Sequence, residues 1–287
     1  MSNQRLYRTD AIVLRRHDFG EADRLLTLYS PAHGKVRAIA KGARRPKSRL
    51  GGTVELFTHV NVLVAHGRNL DIVTQAEAVR PFHGIRDDLW KAAYASYAAE
   101  LVDRFTEERM EHRAVFDLLL QTLTHLDAVP VMAQPGEVRE APSDAATSAS
   151  VELAIRNFEA RLLGLLGYAP QLSNCTQCEA KLSLGDNRYS AAAGGVLCEA
   201  CGDAQPNARS VSVNAIKALR LLSHEPFGVF RRLRVPGEVS RELEATLRSH
   251  INYILEKQLR TSEFLDRLKA DHRREQRLAR EMVRATA

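Results

Sequence analysis

Cysteine is scarce in this chain of 287 residues: there are four, in two close pairs, and no other thiol that would serve as an isolated nucleophile. Thiols grouped in this way fit a metal site in a reducing compartment better than a disulfide framework. Long apolar runs are missing too, and nothing approaches the ~20 residues a membrane span requires. The opening Met1-Ser-Asn-Gln-Arg-Leu-Tyr-Arg8 has no apolar signal core, so a cytoplasmic protein without membrane attachment is expected. The common catalytic signatures are also absent. Gly34-Lys35 is followed by Val36, with no glycine five residues before Gly34, so there is no phosphate-cradling G-x-x-x-x-G-K-[ST] run. G-x-G-x-x-G, H-E-x-x-H and G-x-S-x-G do not occur, and no histidine supplies the H-x-E of a zinc deaminase. These absences favour a binding protein over an enzyme.

What is present is positive charge, unevenly placed. Residues 1–80 hold 14 Lys/Arg against 7 Asp/Glu, whereas the whole chain carries +6, which leaves residues 81–287 at −1. The centre of this excess is Lys41-Gly-Ala-Arg-Arg-Pro-Lys-Ser-Arg49, nine residues with five positive charges and no acid. A solvated surface is the usual fate of such a run. Confinement of the excess to one small region points instead to a polyanion footprint.

Short apolar runs separated by turn signals predict five strands in residues 1–80: Ala11–Leu14, Leu25–Tyr29, Lys35–Ala40, Thr53–Ala65 and Asn69–Val79. Five strands in this length suit a small closed barrel, with the five-stranded oligonucleotide-binding (OB) barrel a leading candidate, and periodicity alone leaves other small barrels open. After Pro81 the period becomes helical, with Trp90, Tyr94, Tyr97, Leu101 and Phe105 on one face. Further helices are predicted over His112–Leu126, Ser150–Leu166, Val213–Leu222 and Val239–Leu268, with a charged helical tail from Arg273 to Arg284. Residues 129–149, rich in Pro, Ala, Ser and Thr, read as a disordered insertion. The predicted class is α+β: an OB domain at 1–80, then a helical domain at 81–287 carrying a cysteine module at 172–207.

Cys175-Thr-Gln-Cys178 and Cys198-Glu-Ala-Cys201 form C-x₂-C-x₁₉-C-x₂-C. Two-residue spacing turns both thiolates of a pair inward, and two such knuckles complete a tetrahedral Zn²⁺ shell. Four protein ligands leave no open position for water or substrate, so a structural rather than catalytic zinc is expected.

The basic run falls between the third and fourth predicted strands and so projects from the barrel as a loop, stiffened by Pro46. Arg15, Arg16 and Arg24 from neighbouring strands, with Lys35 and Arg37 leading into the loop, join Lys41, Arg44, Arg45, Lys47 and Arg49 as candidate phosphate contacts. Among the aromatics of this region, Tyr29 and Phe57 read as core, and Phe19, in a turn, as the exposed one available for base stacking. A zinc-ribbon RNA-binding or ribosome-associated protein, and a metal-dependent nuclease, share some of these features.

Four stretches add a resemblance. They are Asp10-Ala-Ile-Val-Leu-Arg … Gly20-Glu-Ala-Asp-Arg-Leu-Leu-Thr-Leu-Tyr-Ser30; His33-Gly-Lys … Ala40-Lys-Gly-Ala-Arg-Arg-Pro-Lys-Ser-Arg-Leu-Gly51; Phe158-Glu-Ala-Arg-Leu-Leu-Gly-Leu-Leu-Gly-Tyr-Ala-Pro-Gln-Leu172; and Tyr253-Ile-Leu-Glu-Lys-Gln-Leu … Thr261-Ser-Glu-Phe-Leu265. In these the chain resembles the RecO family of bacterial recombination mediators. The resemblance implies an N-terminal OB fold and a four-cysteine zinc module. It also implies binding to single- and double-stranded DNA, annealing of complementary strands, and partnership with RecR in loading RecA onto single strands coated by SSB. Binding of the acidic SSB C-terminal tail is part of the same implication. Lys35, Arg37, Lys41, Arg44, Arg45, Lys47 and Arg49 fall in that family's DNA-binding region.

Overall fold

The computed structural model describes residues 6–130, 143–182, 185–224 and 235–286. Five strands form a closed barrel: β1 (Leu6–Phe19), β2 (Asp23–Ser30), β3 (Gly34–Ala40), β4 (His59–Ala65) and β5 (Asp71–Arg80), in the order β1-β2-β3-β5-β4. All pairings are antiparallel except β3 with β5, and β4 returns to β1. This is the OB fold that the sequence predicts. β1 can serve two partners because its register with β2 shifts between Val13 and Arg15. Such a bulge bends a strand and increases its twist. Residues 6–12 then pair with β4, and residues from Ile12 onward pair with β2.

The barrel interior follows the period-2 alternation of the strands. Ala11, Val13, Leu26, Leu28, Val36, Ala38, Val60, Val62, Val64 and Val73 all point inward and are buried. Each Val or Leu so buried contributes about 1.5–3 kcal/mol relative to exposure. At one end Asp71, itself buried, accepts hydrogen bonds from the Tyr7 hydroxyl (2.7 Å) and pairs with Arg109 (2.9 Å). Burial pushes the Asp71 carboxyl up, but the Arg109 and Tyr7 donors outweigh it and hold it below the usual carboxylate range. Gly34 begins β3 at φ 60°, and a Cβ there would sit 2.0 Å from the Met110 carbonyl oxygen. Only glycine fits that approach.

The fourth strand starts later than the alternation over Thr53–Ala65 predicts. Residues 50–57 turn instead, with the amides of Thr53 and Val54 both donating to the Leu50 carbonyl and Phe57 at φ 66°. The alternating pattern there reflects a different geometry: Val54 and Phe57 are buried from a loop, not from a strand.

The strand-to-helix change falls at Arg80, but the compact units divide elsewhere: Met1–Asp144 with Thr261–Ala287, and Ala145–Arg260. The first unit therefore adds to the barrel α1 (His83–Arg86), α2 (Leu89–Phe105), α3 (Arg113–Ala128) and nearly all of α8 (Arg260–Thr286). Asp88 caps α2, its carboxylate accepting from the amides of Trp90 (2.9 Å) and Lys91 (3.1 Å), an arrangement that satisfies two of the four orphan donors of a helix start. Trp90, Tyr94, Tyr97 and Leu101 form the buried face that their spacing predicts. Glu100, from the middle of α2, accepts from the amide (3.0 Å) and hydroxyl (2.7 Å) of Thr261 at the start of α8. Farther along α8, the His272 ring meets Trp90 edge-on at 5.6 Å.

The second unit holds most of α4 (Ser143–Leu165), then β6 (Asn187–Ser190), β7 (Gly195–Leu197), α5 (Glu199–Asp203), β8 (Arg209–Val211), α6 (Val213–His224) and α7 (Gly237–Leu255). The three short strands form a sheet in the order β7-β6-β8. Asn157 of α4 donates to the Leu222 carbonyl at 2.8 Å. His250 of α7 bridges two neighbours: its Nε2 lies 2.8 Å from the Tyr168 carbonyl and its Nδ1 2.7 Å from the Tyr189 hydroxyl. Because a carbonyl only accepts, the proton sits on Nε2, and Nδ1 receives the tyrosine proton.

Two helix boundaries differ from expectation. α4 begins at Ser143, so the last part of the 129–149 stretch is helical rather than disordered, while residues 131–142 lie outside the described residues. The long helical pattern of Val239–Leu268 is two helices, because Glu256 takes a left-handed conformation (φ 52°) that ends α7. The charged tail is continuous with the second of them.

Candidate nucleic-acid interface and metal centre

The β3–β4 connection, residues 41–58, is an ordered element rather than a loose loop. The Gly42 amide donates to Asp23 (2.7 Å), Arg44 N–H to the Ala22 carbonyl (2.9 Å), Arg45 N–H to Gly42 (3.0 Å) and Ser48 N–H to Arg45 (2.9 Å). Ala43 and Val54 plug into the barrel core beneath it. The basic side chains therefore stand on a fixed backbone.

The structure sorts the ten predicted bases by what they already hold. Glu55 sits between Arg16 and Arg24, pairing with both, and Arg24 also donates to the Gly51 carbonyl (2.9 Å). Asp18 lies 3.3 Å from Arg44 and 3.8 Å from Arg24. Arg15 pairs with Asp103 of α2 at 2.6 Å, and Arg37 is only loosely matched with Glu108 at 3.9 Å. The Lys35 side chain is 13% exposed, and its ammonium directs donors at the carbonyls of Asp103 (2.5 Å) and Thr106 (2.7 Å) and at the Asp103 carboxylate (3.2 Å). Lys41, Arg45, Lys47 and Arg49 are exposed and pair with no acid among the described residues. An exposed base without an internal partner gives up only hydration and counterions when it meets a phosphate.

The sequence reading missed Asp18 and Glu55. Each stands on or beside the same face and fixes two of the predicted bases. The signal was an acid in an otherwise basic neighbourhood. Tyr29 and Phe57 are buried as expected, and Phe19 is 48% exposed. Phe19 ends β1 beside Gly20, whose carbonyl accepts from Arg44 (3.2 Å), so an aromatic face adjoins the basic loop.

The second site is the cysteine quartet, whose four sulfurs all lie within 4.8 Å of one another. Two chain reversals bring them together. Cys175 N–H donates to the Ala180 carbonyl (2.8 Å) and Glu179 N–H back to Cys175 (3.0 Å), with Glu179 left-handed at φ 60°. In the second, Gly202 N–H donates to the Cys198 carbonyl (2.8 Å). A Cβ at Gly202 would meet the Arg188 Cβ at 2.4 Å, so glycine lets the knuckle rest on β6. The amide of Thr176 donates to Val196 of β7 (3.0 Å), which ties the first knuckle to the sheet.

The sulfur set fits a tetrahedral ion. A shell with metal–sulfur bonds of about 2.3 Å has sulfur–sulfur edges of about 3.8 Å, and Cys178 Sγ lies 3.8 Å from Cys198 Sγ. Burial pushes the Cys175 thiol up, but amide donors from Cys178, Cys198 and Gln177 prevail and bring it down to about 6. Hydrogen bonding to Cys198 pushes the Cys201 thiol up to about 12. Four sulfurs this close cannot all ionise without a cation among them.

Fold and sites together define a class: an OB-barrel protein with a basic loop on the barrel and four clustered cysteines placed to hold a metal ion. Residues 1–82 match the family described as Recombination protein O N terminal, and residues 86–136 and 144–263 match Recombination protein O C terminal. A protein named DNA repair protein RecO from Roseiflexus sp. (strain RS-1) is 42% identical over 262 residues, covering 91% of this chain and 86% of its own length. Proteins of the same name from Dehalococcoides mccartyi (strain CBDB1) and Symbiobacterium thermophilum are 35% and 36% identical, each over 92% of this chain and over 96% and 98% of their own lengths. The chain belongs to the RecO family, and its role lies in DNA repair and recombination. No helix among the described residues is long and apolar enough to cross a membrane.

Proposed function

We propose that this protein is a non-enzymatic recombination mediator of the cytoplasm, acting at the nucleoid. It binds single- and double-stranded DNA, anneals complementary strands and, with RecR, helps load RecA onto SSB-coated single strands. The observation that carries this reading is the set of four unpaired bases, Lys41, Arg45, Lys47 and Arg49, held on a hydrogen-bonded loop of an OB barrel. We assign direct phosphate contact to these four, with Arg37 and Arg44 joining from weak pairings. Arg15, Arg16, Arg24 and Lys35 shape the face from their ion pairs.

Four such contacts predict a dependence of log K on log salt with a slope of about −3 on single strands, largely regardless of sequence. Phe19 adds a stacking face, which tolerates any base. Phosphates neutralised along one strand repel a complementary strand less, and this lowers the barrier to annealing. The chain has no nucleotide-binding motif, so its part in RecA loading is an exchange of binding partners, to which contact with the acidic SSB tail contributes. Cys175, Cys178, Cys198 and Cys201 would hold Zn²⁺, which supplies a cross-link for the surrounding small strands and no reactive position.

Annealing of SSB-coated complementary strands, with and without RecR, tests this reading. Acceleration by the protein is expected, with a further change in RecA nucleation when RecR is added. Strong preference for matched RNA without annealing would overturn it in favour of an RNA-binding role, and metal-dependent cleavage of the strands would overturn its non-enzymatic part.

A further inference from the structure

The family match ends at residue 263, but α8 continues to Thr286. From Lys269 to Arg284 this extension carries six bases against three acids. Lys269, Arg273 and Arg277 recur every four residues, and the sequence continues the series with Arg280 and Arg284. At 1.5 Å per residue Lys269 to Arg277 spans about 12 Å, and steps of four keep these three on one side of the helix. Asp271 and Glu275 each lie two residues from a member of the stripe, which places them on the opposite side. Glu281 lies 3.8 Å from Arg277, and both partners are largely in solvent (73% and 62% exposed). Exposed pairs of this kind are weak and readily exchanged for another partner.

A helix that merely needs solubility mixes its charges in favourable four-residue pairs. Along this side, by contrast, Lys269 with Arg273, and Arg273 with Arg277, are like-charge pairs, which destabilise a helix on its own. The helix dipole favours bases only within the last turn, so it does not account for positions 269–277. The first half of α8 is well anchored, through Thr261 on Glu100, buried Leu265 and Leu268, and the His272–Trp90 contact. Beyond that anchor Arg273, Arg274 and Arg277 are exposed.

The geometry points to α8 as a second phosphate-contacting element, which binds the nucleic-acid backbone in addition to the barrel loop of the same compact unit. This rests on the DNA-binding reading above and extends it. The ligand class follows from charge complementarity: a row of bases about 6 Å apart along a rod matches a linear polyanion.

The test is the salt dependence of binding to oligonucleotides, measured by anisotropy, for three proteins: the natural chain, the double variant Arg273→Gln/Arg277→Gln, and the loop variant Arg45→Gln/Lys47→Gln. Glutamine keeps the helix propensity, so α8 is retained, and circular dichroism checks this. Loss of two contacts is expected to flatten the slope by about 1.5 in each variant, additively when both are combined. A helix variant with the natural slope beside a flattened loop variant would overturn this proposal and leave the loop reading standing. A loop variant with the natural slope beside a flattened helix variant would overturn the loop assignment and keep the helix. A natural protein without measurable DNA binding would overturn both.

Discussion

The Lys35 ammonium, from the third barrel strand, lies 2.7 Å from the carbonyl oxygen of Thr106, the residue that ends α2. It also reaches the Asp103 carbonyl in the last turn of that helix. The last carbonyls of a helix have no internal donor and carry the negative end of the dipole. A barrel lysine here supplies both the missing donor and the matching charge.

Lys35→Met is therefore expected to lower stability by about 2–3 kcal/mol, since charge-assisted hydrogen bonds to partly buried acceptors are lost. Urea unfolding checks this through a lower midpoint at unchanged m-value. The salt slope of DNA binding is expected to change less than for Arg45 or Lys47, because the Lys35 charge is already committed. A larger slope change with unaltered stability would reassign Lys35 to direct contact.

On the loop, Arg45→Ala and Lys47→Ala are each expected to flatten the salt slope by about one unit and to weaken binding equally across sequences. Arg16→Ala acts differently. It leaves Glu55 with one partner fewer, so it should destabilise the loop and lower the melting temperature. Thermal melts and salt titrations on the three variants separate the two roles, and sequence-selective losses would contradict phosphate contact.

At the metal centre, Cys175→Ala is expected to unfold or aggregate the surrounding module, because binding energy at such sites is folding energy. Glu179→Gly should do the opposite. A non-glycine residue in the left-handed region costs about 1–2 kcal/mol, offset in part by the extra freedom of glycine when unfolded. A gain of about 0.5–1 kcal/mol is expected, measured by thermal unfolding with metal bound, and a loss would show that the Glu179 side chain does something its backbone angle does not reveal.

Acid should weaken the protein before its carboxylates titrate. Burial holds His250 below the ordinary histidine range, with the Tyr168 carbonyl opposing only in part, and burial lowers His33 and His59 as well. The unfolded chain takes up protons at these positions near pH 6.5, where the folded chain does not. The unfolded state thus binds more protons, and stability rises with pH in that window. It is complete above about 6.5 and falls as pH drops, by at most about 1.4 kcal/mol per pH unit for each histidine. Unfolding free energies between pH 5 and 8 check the sign, and a flat profile would contradict it.

How much of this was legible in the sequence depended on how local the determining physics was. The cysteine spacing specifies two knuckles because the chain reversals that shape them are local. A small five-stranded barrel was legible from strand number and length, and the family resemblance narrowed it to the OB fold. The pairing of bases with Asp18 and Glu55 was not, since Arg16 and Glu55 are joined only by the way the 41–58 connection folds back on β1. The start of β4 and the break between α7 and α8 rest on left-handed Phe57 and Glu256. Neither is glycine, so neither leaves a mark in the sequence. The membership of α8 in the barrel's unit depends on Glu100 meeting Thr261, a contact that no periodicity encodes.

That division of the chain has a consequence for its synthesis. The first unit draws on two stretches far apart in the sequence, with Ala145–Arg260 inserted between them. At ribosomal rates of about 5–20 residues per second, the intervening segment takes on the order of ten seconds to make. For that interval Glu100 and Trp90 have emerged while their partners Thr261 and His272 do not yet exist. The face of α2 that receives α8 is then open, and the inserted unit, metal centre included, has time to fold first. The barrel's unit closes last, when α8 arrives.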